Sequence, residues 1–291
     1  MSILVTGATG TVGRQVIEQL IQRGASVRAL VRDPAKANFP AGVAVVQGDL
    51  SDPDSLRSAY QGVSTLFLLN GVVADEFTQA LIALNLAKEA GIERVVYLSV
   101  IHSDRFVNVP HFAGKFGVER MLEQMGFSAT ILRPAYFMSN ELTIKDAVQA
   151  YGVYPMPIGS KGLAMIDPRD IGEIAAIELL RRHDASAPAP LERINLVGPD
   201  VVPGASAAAV WSEVLGRSIV YGGDDTAGFE QNLRNFMPGW MAYDMRLMSE
   251  RFLSDGMLAA AGEAERLAAT LGRPLRTYRD YVAEIVAGAQ S

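Results

Sequence analysis

Up to about residue 200 the apolar positions alternate between two rhythms: short continuous runs, and longer stretches in which they recur every three or four residues. Ile3-Leu4-Val5, Val27 to Val31, Val43 to Val46, Thr65 to Leu69, Arg94 to Val100 and Ala129 to Leu132 have the length and β-branched content of buried strands. The stretches between them predict helices from Val12 through Leu20, over 54–61, over 76–90 and from His111 to Met125, with Gly24 and Gly91 as stop signals. Strand and helix alternating, save between the second and third strands, predict an α/β fold, a doubly wound parallel sheet of the Rossmann type.

Further along the rhythm loosens. Residues 151–162 carry several turn formers among apolar residues and predict a β-hairpin or loop. Asp167-Pro168-Arg169-Asp170 caps a helix from Ile171 to Leu180, 185–190 is a loop, and Ile194 to Val197 is a strand. Residues 1–150 therefore form the main domain, with segments of about 163–198 returning to it. Past Pro199, helices over 204–215, 226–236, 240–253 and 275–288 and a strand over 218–221 make a smaller, mostly helical substrate lobe, 199–291. Its band of Phe229, Phe236, Met237, Trp240, Met241, Tyr243, Met245, Met248 and Phe252 suits either a core or a pocket for flat apolar ligands.

The chemistry begins at the first turn. Ile3-Leu4-Val5 runs into Gly7, Gly10 and Gly13, and a helix starts at once. In that order Gly7 permits a sharp turn, Gly10 leaves no Cβ between backbone and ligand, and Gly13 lets the helix lie close on the sheet. The amides from Thr9 through Thr11 to Val12 then face outward at a helix N-terminus, a site for a diphosphate. The spacing is G-x-x-G-x-x-G, one residue away from the commonest dinucleotide fingerprint.

At the end of the second strand stands Arg32, where NAD sites usually carry an acid. A guanidinium there can grip the 2′-phosphate of NADP, with Lys36 adding a second charge, whereas the adjacent Asp33 would serve NAD. Asp49 could accept from the adenine amino group beside Leu50, or cap the helix ahead of Pro53. Leu69 and Asn70-Gly71 end the fourth strand where a cofactor would pass, and Ser99 ends the fifth, where catalytic groups and turn-bonding serines both occur. His111 and Lys115 share one face of a helix; the lysine reads as a ligand of the nicotinamide ribose or as a solvated cation. Tyr136 and Phe137, just past the sixth strand, either cover the nicotinamide or belong to the core.

A formal charge of −6 argues against nucleic acid or an anionic membrane as the main partner, since both need a basic face, so any anion site is local. Cysteine is absent, which removes disulfides and thiolate chemistry and fits a reducing compartment. The first residues read as a strand, not a leader, and no apolar run reaches the roughly 18 residues of a membrane helix. The expectation is a soluble cytoplasmic protein. His102, His111 and His183 show no metal-ligand spacing, and no metal site is predicted.

Taken together, Gly7-Ala-Thr-Gly10-Thr-Val-Gly13, Arg32, Gly48-Asp49, His111-Phe-Ala-Gly-Lys115 and Leu132-Arg133-Pro134-Ala-Tyr136-Phe137 with Asn140 resemble the NmrA-like branch of the atypical short-chain dehydrogenase/reductases. Ile166-Asp167-Pro-Arg-Asp170-Ile-Gly172 and Asn195-Leu-Val-Gly198-Pro199 extend the likeness to residue 200. The resemblance implies a Rossmann domain holding NADP rather than NAD, with the glycine turn at the diphosphate, Arg32 and Lys36 at the 2′-phosphate and Lys115 at the nicotinamide ribose. That family holds quinone and dye reductases as well as NADP-binding redox sensors. The short-chain dehydrogenases at large use Tyr-x-x-x-Lys, and here His111 stands at the tyrosine position. Loss of that acid disfavours simple ketones and favours acceptors that spread charge after hydride arrival. The expected activity is NADPH-dependent reduction of a quinone-like or conjugated carbonyl acceptor, a small apolar or aromatic molecule. His111, Tyr97 and Tyr136 are the candidate acids. The alternative is an NADP(H)-binding sensor, and a homodimer or a regulatory protein partner is compatible with either.

Overall fold

The computed structural model describes residues 2–288. Its first half winds β1 (Ser2–Val5), α1 (Thr11–Gln22), β2 (Val27–Val31), β3 (Val43–Gln47), α2 (Pro53–Ala59), β4 (Val63–Leu68), α3 (Glu76–Glu89), β5 (Arg94–Leu98), α4 (Pro110–Gln124) and β6 (Ser128–Pro134). There follow α5 (Lys145–Tyr151), β7 (Val153–Tyr154), α6 (Pro168–His183), β8 (Glu192–Leu196), α7 (Gly204–Leu215), β9 (Val220–Tyr221), α8 (Thr226–Leu233), α9 (Gly239–Ser254), α10 (Glu263–Leu271) and α11 (Tyr278–Val286).

Seven strands form one sheet in the order β3-β2-β1-β4-β5-β6-β8, and the pairings β3-β2-β1-β4-β5-β6 are all parallel. The order reverses at β1/β4, the switch point at which doubly wound sheets bind ligands beyond their carboxyl ends. Residues one apart on each strand face opposite ways. Leu4, Leu30, Leu66, Leu68, Val95, Tyr97, Ala129 and Ile131 therefore share one buried cluster with Leu56 and Tyr60, with Ala80 and Leu84 of α3, and with Val118 and Leu122 of α4. On the other face α1 packs against α6, so closely that a Cβ at Gly172 would stand 2.4 Å from Gln15 Cβ.

The contacts divide the chain into two units, Met1–Ser103 with Gly114–Arg133 and Pro168–Ile194, and Asp104–Ala113 with Pro134–Asp167 and Asn195–Ser291. The second unit holds the small parallel pair β7-β9, α7 packed on α11, and α8 packed on α9. In this unit the structure decides one open expectation and adds one helix. Of the hairpin or loop expected over 151–162 the loop is found: Pro155 and Pro157 lack the N–H a ladder needs, so β7 lasts two residues and pairs with the distant β9. Helix α10 was not expected. Its sequence, EAERLAATL, is amphipathic at helical period, yet it is short and buries only Leu267.

The band of aromatics and methionines after residue 229 is split. Met248 and Phe252 are buried, whereas Phe236, Trp240 and Tyr243 are exposed at 79%, 40% and 44%.

Candidate functional site

A cleft of the first unit opens at the carboxyl ends of β1, β2 and β4. It is lined by Gly7, Ala8 and Thr9, by Leu30, Val31 and Arg32, by Gly48, Asp49 and Leu50, and by Leu69, Asn70, Gly71, Val73 and Gln79. Thr6 sets its floor: the buried hydroxyl donates to Leu69 O and accepts from Leu69 N, both at 2.8 Å, which ties the end of β1 to the end of β4.

The three glycines do different things. Gly7 takes φ of +59°, and a Cβ there would lie 2.8 Å from Leu69. At Gly13 a Cβ would stand 2.2 Å from Gly7 O, so the helix can begin where it does only with glycine. Gly10 is unlike both. Its φ is −79°, and an added Cβ would meet nothing but Gly7 O at 3.3 Å. The space in front of Gly10 is therefore open, and as N-cap of α1 it supplies no side chain to the first amides of the helix. Those amides, from Thr11, Val12 and Gly13, are left for an anion.

Arg32 lines the same cleft and is exposed. Lys36 lies elsewhere: its Nζ is 3.1 Å from Asp33 Oδ2 on an exposed 3-10 turn, and Asp33 Oδ1 accepts from Ala35 N as the cap of that turn. Asp49 reaches the cleft, but its Oδ1 accepts from Ser51 N and Oγ at 2.8 and 2.6 Å. The bonds from Ser51, hydroxyl first, hold its carboxyl below the usual range. The cap of α2 is neither Asp49 nor Ser51 but Asp52, whose Oδ1 accepts from Asp54 N and Ser55 N. Sequence reading also missed Arg14. Its Nε donates to Thr9 O at 3.1 Å and its Nη1 to Asn38 O at 3.0 Å, which joins the glycine turn to the loop beyond Arg32.

Farther along β4 and β5 the polar groups are buried. Asn70 Nδ2 donates to Glu76 O at 2.8 Å, while Asn70 Oδ1 has no partner. An unpaired buried acceptor is costly, and this one belongs to a residue of the cleft, so it is suited to a ligand hydroxyl or amide. Lys115 Nζ is 2.5 Å from Glu76 Oε1, both side chains being under a tenth exposed, and 6.0 Å from the centre of the Tyr97 ring. The Tyr97 hydroxyl is buried without a partner, and burial first, then the charges of Glu76 and Glu119, push its pKa far above the usual phenol range. It stays protonated at neutral pH. Ser99 is engaged differently, its Oγ donating at 2.5 Å to Glu119, a fully buried carboxylate that also takes Ser103 and Arg133.

In the second unit His111 is held at two points by the buried Asp244. The backbone N–H donates to Asp244 Oδ1 at 3.1 Å and the ring Nδ1 bonds Asp244 Oδ2. Tyr136 meets Phe252 edge-on at 6.0 Å, and burial, then the charge of Glu141, raises its pKa. Phe137 bridges to Ile166 and precedes a 3-10 turn over Met138–Thr143.

A parallel sheet in this order, with an uncapped helix end and an arginine around one cleft at its switch point, defines a Rossmann-type nucleotide-binding protein. Within that class the chain belongs to the NmrA-like family, whose model matches residues 1–258. It is 29% identical over 284 residues to an NAD(P)H azoreductase of Xenophilus azovorans, with 96% of each chain covered. It is 30% identical over 293 residues to the (4-alkanoyl-5-oxo-2,5-dihydrofuran-3-yl)methyl phosphate reductase of Streptomyces griseus, with 97% of each covered. Among solved structures it superposes on the NADPH-dependent quinone oxidoreductase QOR2 of Escherichia coli complexed with NADPH, at TM-score 0.85 and 29% identity over 98% of this chain and 99% of that one.

Proposed function

We propose that this protein is an NADPH-dependent reductase of quinone-like or conjugated carbonyl acceptors. The observation that carries the reading is the meeting of the open, uncapped start of α1 and the Arg32 side chain in one cleft. The first offers backbone amides for a diphosphate, the second a forked cation for a further phosphate. Relatives that resemble this chain over nearly its full length are named as reductases of azo compounds, of a conjugated lactone and of quinones, which supports the acceptor class.

In this reading the amides of Thr11, Val12 and Gly13 hold the diphosphate, with Gly7, Gly10 and Thr9 shaping the backbone around it. Arg32 binds the 2′-phosphate, and Lys36, engaged with Asp33, contributes little. Asp49 and Leu50 border the adenine, Leu69 and Asn70 the path beyond it, and Lys115 binds the nicotinamide ribose. The bound cofactor supplies a hydride. The chain supplies geometry and charge, with Glu76 fixing the Lys115 ammonium.

Calorimetric titration with NADPH and NADH, followed by NADPH oxidation with a panel of quinones, azo dyes and unsaturated lactones, tests this. Tight NADPH binding and steady turnover with at least one acceptor class are expected. Binding without turnover on any of them would replace the enzyme with an NADP(H)-binding regulator, and no binding would remove both.

A further inference from the structure

We propose that Arg14 is a second cation for the 2′-phosphate of NADPH, beside Arg32, and so helps to set the preference for NADPH over NADH. This rests on the cofactor reading above, and the residues it needs all belong to the first unit.

Arg14 directly follows the last glycine of the first turn, and its backbone N–H donates to Gly10 O at 3.0 Å as α1 begins. Side chains on a helix lean toward its N-terminus, so this one runs back over the turn it has just left. Its Nε donates to Thr9 O at 3.1 Å and its Nη1 to Asn38 O at 3.0 Å, while Cζ stands 5.8 Å from the centre of the Phe39 ring. Thr9 lines the cleft, as does Arg32, and Asn38 and Phe39 lie on the loop that leaves Arg32. These contacts fix the guanidinium where the glycine turn and that loop meet.

What holds Arg14 leaves its charge intact. Both acceptors are neutral carbonyls, and among the described residues neither Arg14 nor Arg32 forms an ion pair with a carboxylate. A guanidinium carries five N–H groups in a planar fork. The two carbonyls take one from Nε and one from Nη1, which leaves Nη2 and the other Nη1 hydrogen for a ligand.

The ligand calls for such a group. A phosphate monoester carries about −1.5 to −2 charges at pH 7, more than one arginine offsets. The chain as a whole has a formal charge of −6 and supplies no positive background. Lys36, the expected second cation, is engaged with Asp33 at 3.1 Å. Arg14 has no such partner and is anchored to the cleft wall through Thr9. The alternative is a purely structural role, in which Arg14 ties the loop to the turn and touches no phosphate.

The two roles differ in their effect on NADH, which shares the adenosine and the diphosphate but lacks the 2′-phosphate. Calorimetric titration of the wild type, Arg14→Gln and Arg14→Lys with NADPH, NADH and adenosine 2′,5′-bisphosphate separates them. Arg14→Gln should weaken NADPH and the bisphosphate on the order of tenfold, and NADH less than about twofold. Arg14→Lys keeps the charge but not the fork, so it should show a smaller loss with the same selectivity, which answers the question should the glutamine variant not fold. Equal losses for NADPH and NADH would make Arg14 a structural tie and overturn the proposal, as would unchanged affinity for all three ligands. Either result leaves the NADPH reading standing. Absence of NADPH binding by the wild type overturns that reading and the role of Arg14 with it.

Discussion

Lys115 Nζ lies 2.5 Å from Glu76 Oε1, with 9% and 7% of the two side chains exposed. Charges so far from water must be paired, and removal of one partner strands the other. Glu76→Ala should therefore lower unfolding stability by roughly 3–5 kcal/mol. The double variant Glu76→Leu with Lys115→Met should recover most of it, because it leaves no buried charge. Denaturant unfolding of the three proteins measures this, and equal stabilities would show that the pair is solvated. Binding separates from folding: the recovered double variant should still bind NADPH more weakly than the wild type, since the lysine is gone.

Arg32 and Lys36 looked alike in sequence but differ in place. Arg32→Ala should weaken NADPH binding by about 2 kcal/mol, roughly thirtyfold, and leave NADH affinity nearly constant. Lys36→Ala should change neither much, because that ammonium is 85% exposed and lies 3.1 Å from Asp33. Calorimetry with both nucleotides decides. A Lys36 effect as large as that of Arg32 would move the 2′-phosphate to the 3-10 turn.

Two glycines of the first turn make a paired prediction. Gly13→Ala places a Cβ 2.2 Å from a backbone oxygen that cannot swing away, so the turn must shift and the melting temperature should fall. Gly10→Ala meets only that oxygen, at 3.3 Å, and should fold nearly as well. Its methyl would occupy the space in front of the helix amides, so NADPH affinity should drop at least tenfold, on the order of 1.4 kcal/mol. Thermal scans with and without NADPH distinguish them. If Gly10→Ala bound normally, the diphosphate would not lie against that backbone.

What the sequence disclosed and what it withheld follow from range. The glycine turn, Arg32, Asn70 and the succession of strands were legible because strand, turn and helix succeed one another within a few residues. Glu76 was not: a carboxylate in the first turn of a helix is favoured by the helix dipole whatever it pairs with. Asp244 was hidden because it stands 133 positions from the histidine it holds, inside a stretch that reads as apolar. Ser99 was visible as a strand-end hydroxyl, but only the folded chain brings it to Glu119. The aromatic band likewise read as one feature, and the fold buries Met248 and Phe252, exposes Phe236, Trp240 and Tyr243 and leaves the others half-buried.

Glu141 makes the last prediction, one of pH and stability. It is fully buried in the second unit, where Trp211 Nε1 and the hydroxyls of Tyr278 and Tyr154 donate to it at 3.0, 2.9 and 3.0 Å. Burial raises its pKa from the ordinary 4.5 to about 7, against the pull of those three bonds. Between those values the unfolded chain has released the proton and the folded chain keeps it. The unfolded state then binds fewer protons, so stability falls as pH rises through this window and levels off above about 7. A difference of about 2.5 between the two values corresponds to a loss on the order of 3 kcal/mol. Glu141→Gln keeps an acceptor for Trp211 and a donor for Tyr154 but cannot ionise, so its stability should lack this component. The check is urea unfolding of both proteins from pH 5 to pH 8, read as the difference between them. The variant should gain on the wild type as pH rises. A constant difference would mean that Glu141 is ionised throughout and that the three donors outweigh its burial.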